Sequence, residues 1–585
     1  MMILKKLNLH FCLEESVSMK VNLIILFLLY SYVGLGQERY YTDPVKIPIL
    51  LSGTFAELRS NHFHSGIDIK TQGQTGFPVY SVADGFISRI VVSPTGYGRA
   101  LYISHPNGTT SVYGHLESFR EDIQEFVKTH QYNQKSFRVD IQLLPGRFQL
   151  KKNEQIALTG NSGSSGGPHL HFEIRDTRSE YPLNPLKNNF SIKDNIPPKI
   201  FSLMVVPLND TSHVNYETKR RTYPVVYYDG KYHIKNNPTV PVYGEIGFAL
   251  KTYDYLNGTW NKCGVNDIQL TVDDELYFSY SNNEFSFDES RYINSFILYD
   301  EFINHKSWYV KTWIEPGNQL SVYPYSNSNG ILNANKNGNH SIRIELKDSY
   351  NNKSVMKFDV KTVPKKIIPS VQQPSKEFSY DVKNYFHTDE CKLTIPKGSL
   401  YKNLQFNYHK MSNPPGYYSD IHVIHKSTVP LHKHAELKIK SKNLPNDLQD
   451  KALIVLVDDI SGEPVPAGGT FSDGWLTAKI RSFGQYAVKI DTLPPVIKPL
   501  SIINSTTLNE STRIRFRIED DLSGINTIEG KIDGQWALFE YDAKYKLITH
   551  YFDAERFELN KKHYLRLSVT DYKGNNALYE ATFWK

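Results

Sequence analysis

Cysteine is scarce in this sequence, with only three in 585 residues. Cys12 lies in the N-terminal leader, whereas Cys263 and Cys391 fall in regions that we predict to be different domains. A fold built on disulfide bonds is therefore excluded, and two free or buried thiols are favoured over one bridge. The same scarcity leaves too few thiolates for a cysteine-rich structural zinc site.

An excess of charge of either sign is also missing. Lysine and arginine number 67 against 61 aspartates and glutamates, which gives a net charge of +6 at pH 7. This small positive excess is too weak to favour a nucleic-acid partner, although it suits an anionic polymer such as a cell wall.

Long apolar runs are confined to the leader, residues 1–36. A basic start at Met19-Lys20 is followed by the apolar run Leu23–Leu29 and by small residues at Gly34–Gly36. This pattern is typical of a secretory signal peptide that begins at Met19, with residues 1–18 as an upstream extension. The alternative is an uncleaved anchor, but the run is short for a membrane span. We therefore predict that the protein is exported, with no stable span in the mature chain.

Tyrosine and phenylalanine, by contrast, are plentiful, at 39 and 30 residues, and they favour strands. We predict a mainly β chain, with an antiparallel-sheet domain over residues 37–190 followed by β-sandwich modules. The length suffices for several domains. We expect modules at 195–365, 371–490 and 491–585.

The first and last of these modules are predicted to be copies of one immunoglobulin-like unit, because three segments of one match three segments of the other. The matching pairs are Asn195–Ile200 with Asp491–Ile497, Asp254–Gly258 with Asp520–Gly524, and Ser341–Asn352 with Tyr564–Asn575. We expect the modules to be either spacers or binding platforms for a protein partner, and their residues indicate no chemistry.

The stretch Gly166–Glu173 contains two histidines one residue apart, His169 and His171. In a strand, residues two apart point to the same face, so both imidazoles face one way and Leu170 and Phe172 face the core. About a hundred residues earlier, the sequence His64-Ser-Gly-Ile-Asp68 supplies an imidazole and a carboxylate. Imidazole and carboxylate ligands suit a catalytic zinc that keeps its fourth position for water.

A third element, Tyr113-Gly-His115-Leu, lies between these two motifs. The order and form of the three motifs resemble those of the lysostaphin/LytM-type zinc endopeptidases, over roughly residues 50–186. The resemblance implies one Zn²⁺ per chain, bound by His64, Asp68 and His171, with His115 and His169 as the catalytic histidines. It also implies that residues 37–190 form a LytM-type peptidase domain and that the substrate is a stem or cross-link peptide of peptidoglycan. The exported protein is then expected in the periplasm or cell envelope of a bacterium, or in the extracellular space.

Two further residues are candidates for the substrate groove. Arg59 lies just upstream of the first ligand, as an arginine does in the resembling family, although a solvated loop arginine is an equal alternative. Tyr113 lies two residues before His115, so we expect it on the same strand face, lining the groove.

Residues 117–147 depart from the family pattern and are predicted to be an inserted helix and strand. The insertion either shapes substrate specificity or covers one edge of the sheet. The function expected from the whole pattern is a secreted zinc metalloendopeptidase that remodels the cell wall. The alternative is a non-catalytic or autoinhibited relative that regulates another wall hydrolase.

Overall fold

The computed structural model describes residues 39–336, 338–365, 374–413, 415–458, 461–509 and 513–585. The predicted signal peptide lies outside the described residues. Within these ranges, none of the helices is both long and apolar enough to cross a membrane. The prediction of a mainly β chain is confirmed, since strands follow one another from residue 51 to residue 584.

The N-terminal domain, residues 43–190, consists of short strands and one helix, α1, at Glu121–Gln134. Its strands are β1 Leu51–Gly53, β2 Leu58–Arg59, β3 His62–Phe63, β4 Ile67–Lys70, β5 Pro78–Tyr80, β6 Gly85–Val92, β7 Arg99–Ser104, β8 Thr109–Gly114, β9 Ser118–Phe119, β10 Val139–Gln142, β11 Gln149–Leu150, β12 Gln155–Leu158, β13 His169–Asp176 and β14 Pro182–Leu183.

The main sheet of this domain has the order β1-β4-β13-β8-β7-β6-β10, and its pairings are antiparallel. The predicted insertion supplies α1 and the edge strand β10, which pairs with β6. The three strands that carry the histidine and aspartate motifs, β4, β13 and β8, are direct neighbours in the middle of the sheet. Strand pairing therefore brings together motifs that are a hundred residues apart in the sequence.

The strands of the first β module, residues 195–365, form one connected sheet. Its long strand β19 pairs with β15 and also with β26. Its elements are β15 Lys199–Pro207, β16 His213–Val214, β17 Arg221–Tyr228, β18 Lys231–Ile234, β19 Val240–Tyr253, β20 Asp267–Val272, β21 Glu275–Ser281, α2 Ile293–Phe296, α3 Tyr299–His305, β22 Val310–Lys311, β23 Tyr325–Ser326, β24 Leu332–Ala334, β25 Asn339–Lys347 and β26 Lys353–Thr362.

The second module, residues 374–490, has two five-stranded sheets that share one apolar core. Its strands are β27 Lys376–Phe378, β28 Asn384–His387, β29 Cys391–Ile395, β30 Leu404–Phe406, β31 Tyr408–Met411, β32 Ile421–Ile424, β33 Pro430–Lys440, β34 Ala452–Val457, β35 Pro464–Gly468, β36 Thr470–Ser472, β37 Trp475–Ser482 and β38 Gly484–Ile490.

The third module, residues 491–585, packs a four-stranded sheet on a five-stranded one. Its strands are β39 Val496–Pro499, β40 Thr506–Thr507, β41 Ile514–Glu519, β42 Ile525–Ile532, β43 Gln535–Ala537, β44 Glu540–Asp542, β45 Leu547–His550, β46 Lys562–Asp571 and β47 Asn576–Trp584. Short 3₁₀ turns occur at Pro185–Lys187, Ser290–Tyr292, Ser328–Gly330 and Asn446–Lys451. Cys263 and Cys391 are both buried and unbridged.

The N-terminal domain and the first module share one apolar core. Phe63, the residue before His64, packs its ring 5.6 Å from that of Phe285 and 6.0 Å from that of Phe296. Phe55 lies 5.4 Å from the same Phe285 ring. The backbone that leads into His64 is therefore supported by the first module, which acts as more than a spacer.

The third module contacts the inserted helix and a neighbouring loop of the N-terminal domain. Arg556 stacks over the ring of Tyr132 at 3.7 Å, and Lys128 pairs with Asp553 at 3.0 Å. Arg99 forms a 2.7 Å ion pair with Glu540. The insertion thus contacts two parts of the protein: β10 pairs with the edge of the main sheet, and α1 packs against the third module.

We expect Phe285→Ala to loosen the N-terminal domain although the substitution lies in the first module. Removing a buried phenylalanine costs about 3–5 kcal/mol, because the cavity leaves Phe55 and Phe63 without a partner. Hydrogen–deuterium exchange read peptide by peptide should become faster across residues 54–70. The control is Phe201→Ala, whose side chain is exposed on the same module. Unchanged exchange in both variants would contradict the shared core.

Candidate metal centre and active site

Strand register brings a carboxylate and an imidazole face to face at the centre of the sheet. Asp68 of β4 lies directly opposite His171 of β13 in an antiparallel pair. His171 is also opposite Gly114, the last residue of β8, so His115 follows immediately beside it. Asp68, His171 and His115 are all buried, and so is His64.

The sequence His64–Asp68 depends on its central glycine for space. A Cβ atom on Gly66 would lie 2.2 Å from the carbonyl oxygen of Phe172. The chain before β4 therefore runs too close to β13 for any side chain at this position. This close approach, rather than a special backbone angle, is what demands glycine and draws His64 toward β13.

Three ligand-type atoms converge into a small triangle. His64 Nε2 lies 3.1 Å from His171 Nδ1 and 3.1 Å from Asp68 Oδ1. His171 Nδ1 lies 3.0 Å from the same Asp68 oxygen. Tetrahedral zinc with ligands at about 2.0–2.1 Å holds its ligand atoms about 3.3 Å apart. The spacing and the donor types both fit a zinc ion.

Hydrogen bonds to the far side of each ring fix which nitrogen is available. His64 donates from Nδ1 to the carbonyl of Thr54 at 2.8 Å, which leaves Nε2 as the ligand atom. His171 donates from Nε2 to Glu173 Oε1 at 2.7 Å, which leaves Nδ1. Two lone pairs and a carboxylate oxygen thus face one another, an arrangement that needs a cation or a proton between them.

The electrostatics of the metal-free triangle match this requirement. Burial opposes ionisation of Asp68, but the imidazoles of His64, His169 and His171 hold its pKa well below the usual range. Burial also opposes the charging of His171, but hydrogen bonds to Asp68 and Glu173 raise its pKa to about 9. Without metal, His171 therefore carries the proton that a metal ion would replace.

The two remaining histidines border the triangle without entering it. His169 donates from Nδ1 to the carbonyl of Gly167 at 2.8 Å, and its Nε2 lies 3.4 Å from Asp68 Oδ1. His115 donates from Nδ1 to the carbonyl of Ser162 at 2.9 Å. The rings of His115 and His169 are 4.7 Å apart. Burial, His171 and His169 lower the pKa of His115 to about 3, so it is neutral near pH 7.

Tyr113 does not line this groove, contrary to our expectation. Its side chain is fully buried, accepts a hydrogen bond from the backbone N–H of Val82 at 3.0 Å, and packs against Phe172. The expectation assumed that the strand continues to His115. Strand β8 ends at Gly114, and His115 adopts a positive φ of 59°, so the alternation of faces is broken between the two residues.

Arg59 lies at the triangle itself. Its Nη2 donates to the outer oxygen of Asp68, Oδ2, at 3.0 Å, and its Nε lies 3.3 Å from Glu57. The arginine therefore holds the second oxygen of Asp68 while the first faces the histidines. This contact orients the carboxylate and helps to keep it ionised.

Sequence reasoning assigned no role to Glu173, which organises the far side of the site. Besides His171, it accepts hydrogen bonds from the hydroxyls of Tyr97 at 2.5 Å and Ser65 at 2.7 Å, and from Arg175 at 2.6 Å. These contacts keep the pKa of the buried Glu173 far below its usual value. The period of two in β13, which sets His169, His171, Glu173 and Arg175 on one face, was the available signal.

Comparison with known proteins shows which family the N-terminal domain resembles. Residues 62–132 match peptidase family M23. The chain carries an M23 peptidase domain. The resemblance to lysostaphin/LytM-type peptidases is thereby confirmed for this domain, and residues 375–491, which cover the second module, match a Zu5-like domain.

Three curated relatives align with the M23 region. A protein named as an uncharacterized metalloprotease of Haemophilus influenzae is 33% identical over 111 residues, which is 19% of this chain and 18% of the relative. The DD-carboxypeptidase/endopeptidase Mpg of Neisseria meningitidis is 30% identical over 129 residues, 22% of this chain and 23% of the relative. The murein hydrolase activator EnvC of Escherichia coli is 31% identical over 112 residues, 19% and 20%. The alignments thus span about a fifth of each relative.

We expect zinc binding to this triad to release about one proton near neutral pH. In the metal-free protein His171 is protonated below its pKa of about 9, and the proton must leave before Nδ1 can bind metal. Apparent zinc affinity should therefore rise about tenfold per pH unit as pH increases toward 9. Calorimetric titrations from pH 6 to 8, in buffers of different ionisation enthalpy, measure both the number of protons released and the apparent zinc affinity.

Two variants check the assignment. Asp68→Ala should lose zinc, and full zinc occupancy in that variant would contradict the ligand set. Glu173→Gln should lower zinc affinity by about 10–100-fold, as is usual when the partner of a ligating histidine is altered. It should also reduce proton release, because the charge that stabilises protonated His171 is gone.

Proposed function

We propose that this protein is an exported zinc metalloendopeptidase that hydrolyses peptide bonds in the stem or cross-link peptides of peptidoglycan. The observation that carries the proposal is the geometry of five side chains on neighbouring strands. His64, Asp68 and His171 converge their ligand atoms within 3.1 Å of one another. His115 and His169 border the same space with one nitrogen each left free.

The residues around the triad suit amide hydrolysis. A zinc ion held by the triad supplies Lewis-acid activation of water and of a peptide carbonyl. His169, whose Nδ1 is tethered to Gly167, offers Nε2 as the general base that removes a proton from the attacking water. His115, held neutral, offers Nε2 as a hydrogen-bond acceptor that orients the same water. Both roles need the tautomers that the carbonyls of Gly167 and Ser162 impose.

The substrate class rests on the relatives and on the composition of the chain. Two of the aligned relatives are named as a DD-carboxypeptidase/endopeptidase and a murein hydrolase activator. A net charge of +6 favours an anionic wall polymer. Export to the periplasm or cell envelope is part of the proposal and rests on the signal-peptide pattern of residues 19–36.

A second candidate function is regulation of another wall hydrolase by a latent M23 domain. One contact favours it: Lys544 of the third module donates to the carbonyl of Asn161, the residue before Ser162, whose own carbonyl holds His115. The ion pair of Arg99 with Glu540 lies in the same interface. A module docked at this loop is placed to control the groove, and the aligned activator EnvC supports this alternative.

Digestion of purified peptidoglycan sacculi by the full chain tests the first function. We expect cross-linked muropeptide dimers to disappear, and chelation of zinc to abolish the reaction. His115→Ala and His169→Ala should each reduce the rate by about 10²–10⁴-fold while retaining zinc, because each removes a proton-transfer or orienting group. His130→Ala, on α1 outside the cluster, is the matched control.

Substitutions in the interface between the third module and the M23 domain distinguish the two proposed functions. An inert native chain, together with strong digestion by a Glu540→Arg/Lys544→Glu double variant, would favour the latent regulator. No digestion by either protein, with zinc bound at full occupancy, would contradict the proposed peptidoglycan endopeptidase. Mass spectrometry of the released muropeptides identifies the cleaved bond.

A further inference from the structure

Two clusters of three aspartates lie outside the M23 domain, in the β modules and at their first residues. In each cluster, one carboxylate oxygen of every member lies within 4.8 Å of those of the other two. The first cluster is in the first module and the second is in the third module. Their members are Asp194, Asp254 and Asp348, and Asp491, Asp520 and Asp571.

The two clusters occupy equivalent positions in the internal repeat. Asp194 and Asp491 each lie three residues before a Pro-Pro pair that leads into the first strand of the module. The second members, Asp254 and Asp520, each follow directly on a strand, β19 and β41. The third members lie at the ends of β25 and β46. The same arrangement therefore occurs twice in one chain, once in each copy of the repeat.

The third member of each cluster is held in the same orientation by the turn that follows it. Asp348 Oδ1 accepts the backbone N–H of Asn352 at 2.9 Å, and its Oδ2 accepts the side-chain amide of Asn352 at 2.7 Å. Asp571 makes the same two hydrogen bonds with Asn575, at 2.9 and 2.7 Å. In both modules that amide also donates to the backbone carbonyl of the first aspartate. The carboxylates are therefore fixed toward one another.

Buried carboxylate oxygens in both clusters have no hydrogen-bond partner. Asp254 is 4% exposed and Asp491 is 3% exposed, and Oδ1 of each is unpaired. Oδ1 of Asp520 is unpaired as well. In Asp491 and Asp520 the other oxygen accepts backbone N–H groups, so the unpaired oxygen is the one left for a ligand. A buried unpaired carboxylate oxygen is costly unless a cation satisfies it.

Neighbouring lysines do not supply that cation. Among the residues that the structure describes, no lysine or arginine forms an ion pair with any of these six carboxylates. Lys573 influences Asp491 and Asp571 electrostatically, but its ammonium donates to the carbonyl of Gly469 at 3.0 Å.

We propose that each aspartate cluster is a calcium-binding site. Calcium takes hard oxygen ligands at about 2.3–2.6 Å, so carboxylate oxygens up to about 4.8 Å apart can contact one ion. Magnesium requires a tighter octahedron, and zinc prefers nitrogen and sulfur ligands. Asp194 lies where the M23 domain joins the first module, and Asp491 directly follows the last strand of the second module. Bound calcium would therefore stiffen both joints between domains.

Calorimetric titration of the zinc-loaded full chain with calcium chloride tests the proposal. After metals are removed with a chelating resin and one equivalent of zinc is restored, we expect two calcium-binding sites in the native chain. Asp254→Asn and Asp520→Asn should each leave one site, and the double variant should leave none. Asp210→Asn and Asp521→Asn change exposed aspartates of the same two modules and should retain both sites.

Thermal unfolding separates loss of binding from loss of folding. Calcium should raise the melting temperature of the native chain and leave that of the double variant unchanged. Without calcium, the double variant should melt close to the temperature of the native chain, because asparagine has nearly the same size and shape as aspartate. No calcium binding by the native chain, two sites in the double variant, or a preference for magnesium at equal concentration would each overturn the assignment.

Discussion

The antiparallel pairing of β4 with β13 is the interaction on which the candidate metal centre depends. It sets Asp68 opposite His171, and the absence of a side chain at Gly66 lets the preceding loop bring His64 to the same point. A shift of one residue in this register would turn both histidines of β13 into the apolar core. The apolar partners Leu170 and Phe172, both fully buried, hold the register in place.

The site is also supported from outside its own domain. Phe63, next to His64, packs into a core that belongs largely to the first β module, so part of the M23 domain's stability comes from residues more than two hundred positions away. The third module reaches the opposite side through Arg99 and Tyr132. The first and third modules thus both contact the M23 domain.

Metal chemistry of two kinds fits this architecture. In the M23 domain, imidazole and carboxylate ligands with fixed tautomers suit zinc, which activates water. In the modules, the carboxylate clusters suit calcium, which binds without catalysis and stiffens a joint. The two kinds of site are connected along the chain, because Asp194 lies in the segment that leaves the M23 domain and Asp491 lies at the start of the module that forms the Arg99–Glu540 ion pair with that domain.

Local sequence determined a great deal about this protein: the mainly β class, the alternation that turns His169 and His171 to one face, and the repeat of the first and third modules. Those features follow from residue type and spacing, which act within one strand. Tertiary structure alone decided that Tyr113 is buried, because a positive φ at His115 ends the strand between them. It also decided the partnership of Glu173 with His171, the shared core around Phe285, and the aspartate clusters. Each of these depends on segments far apart in the chain, whose meeting is set by sheet register and packing rather than by local pattern.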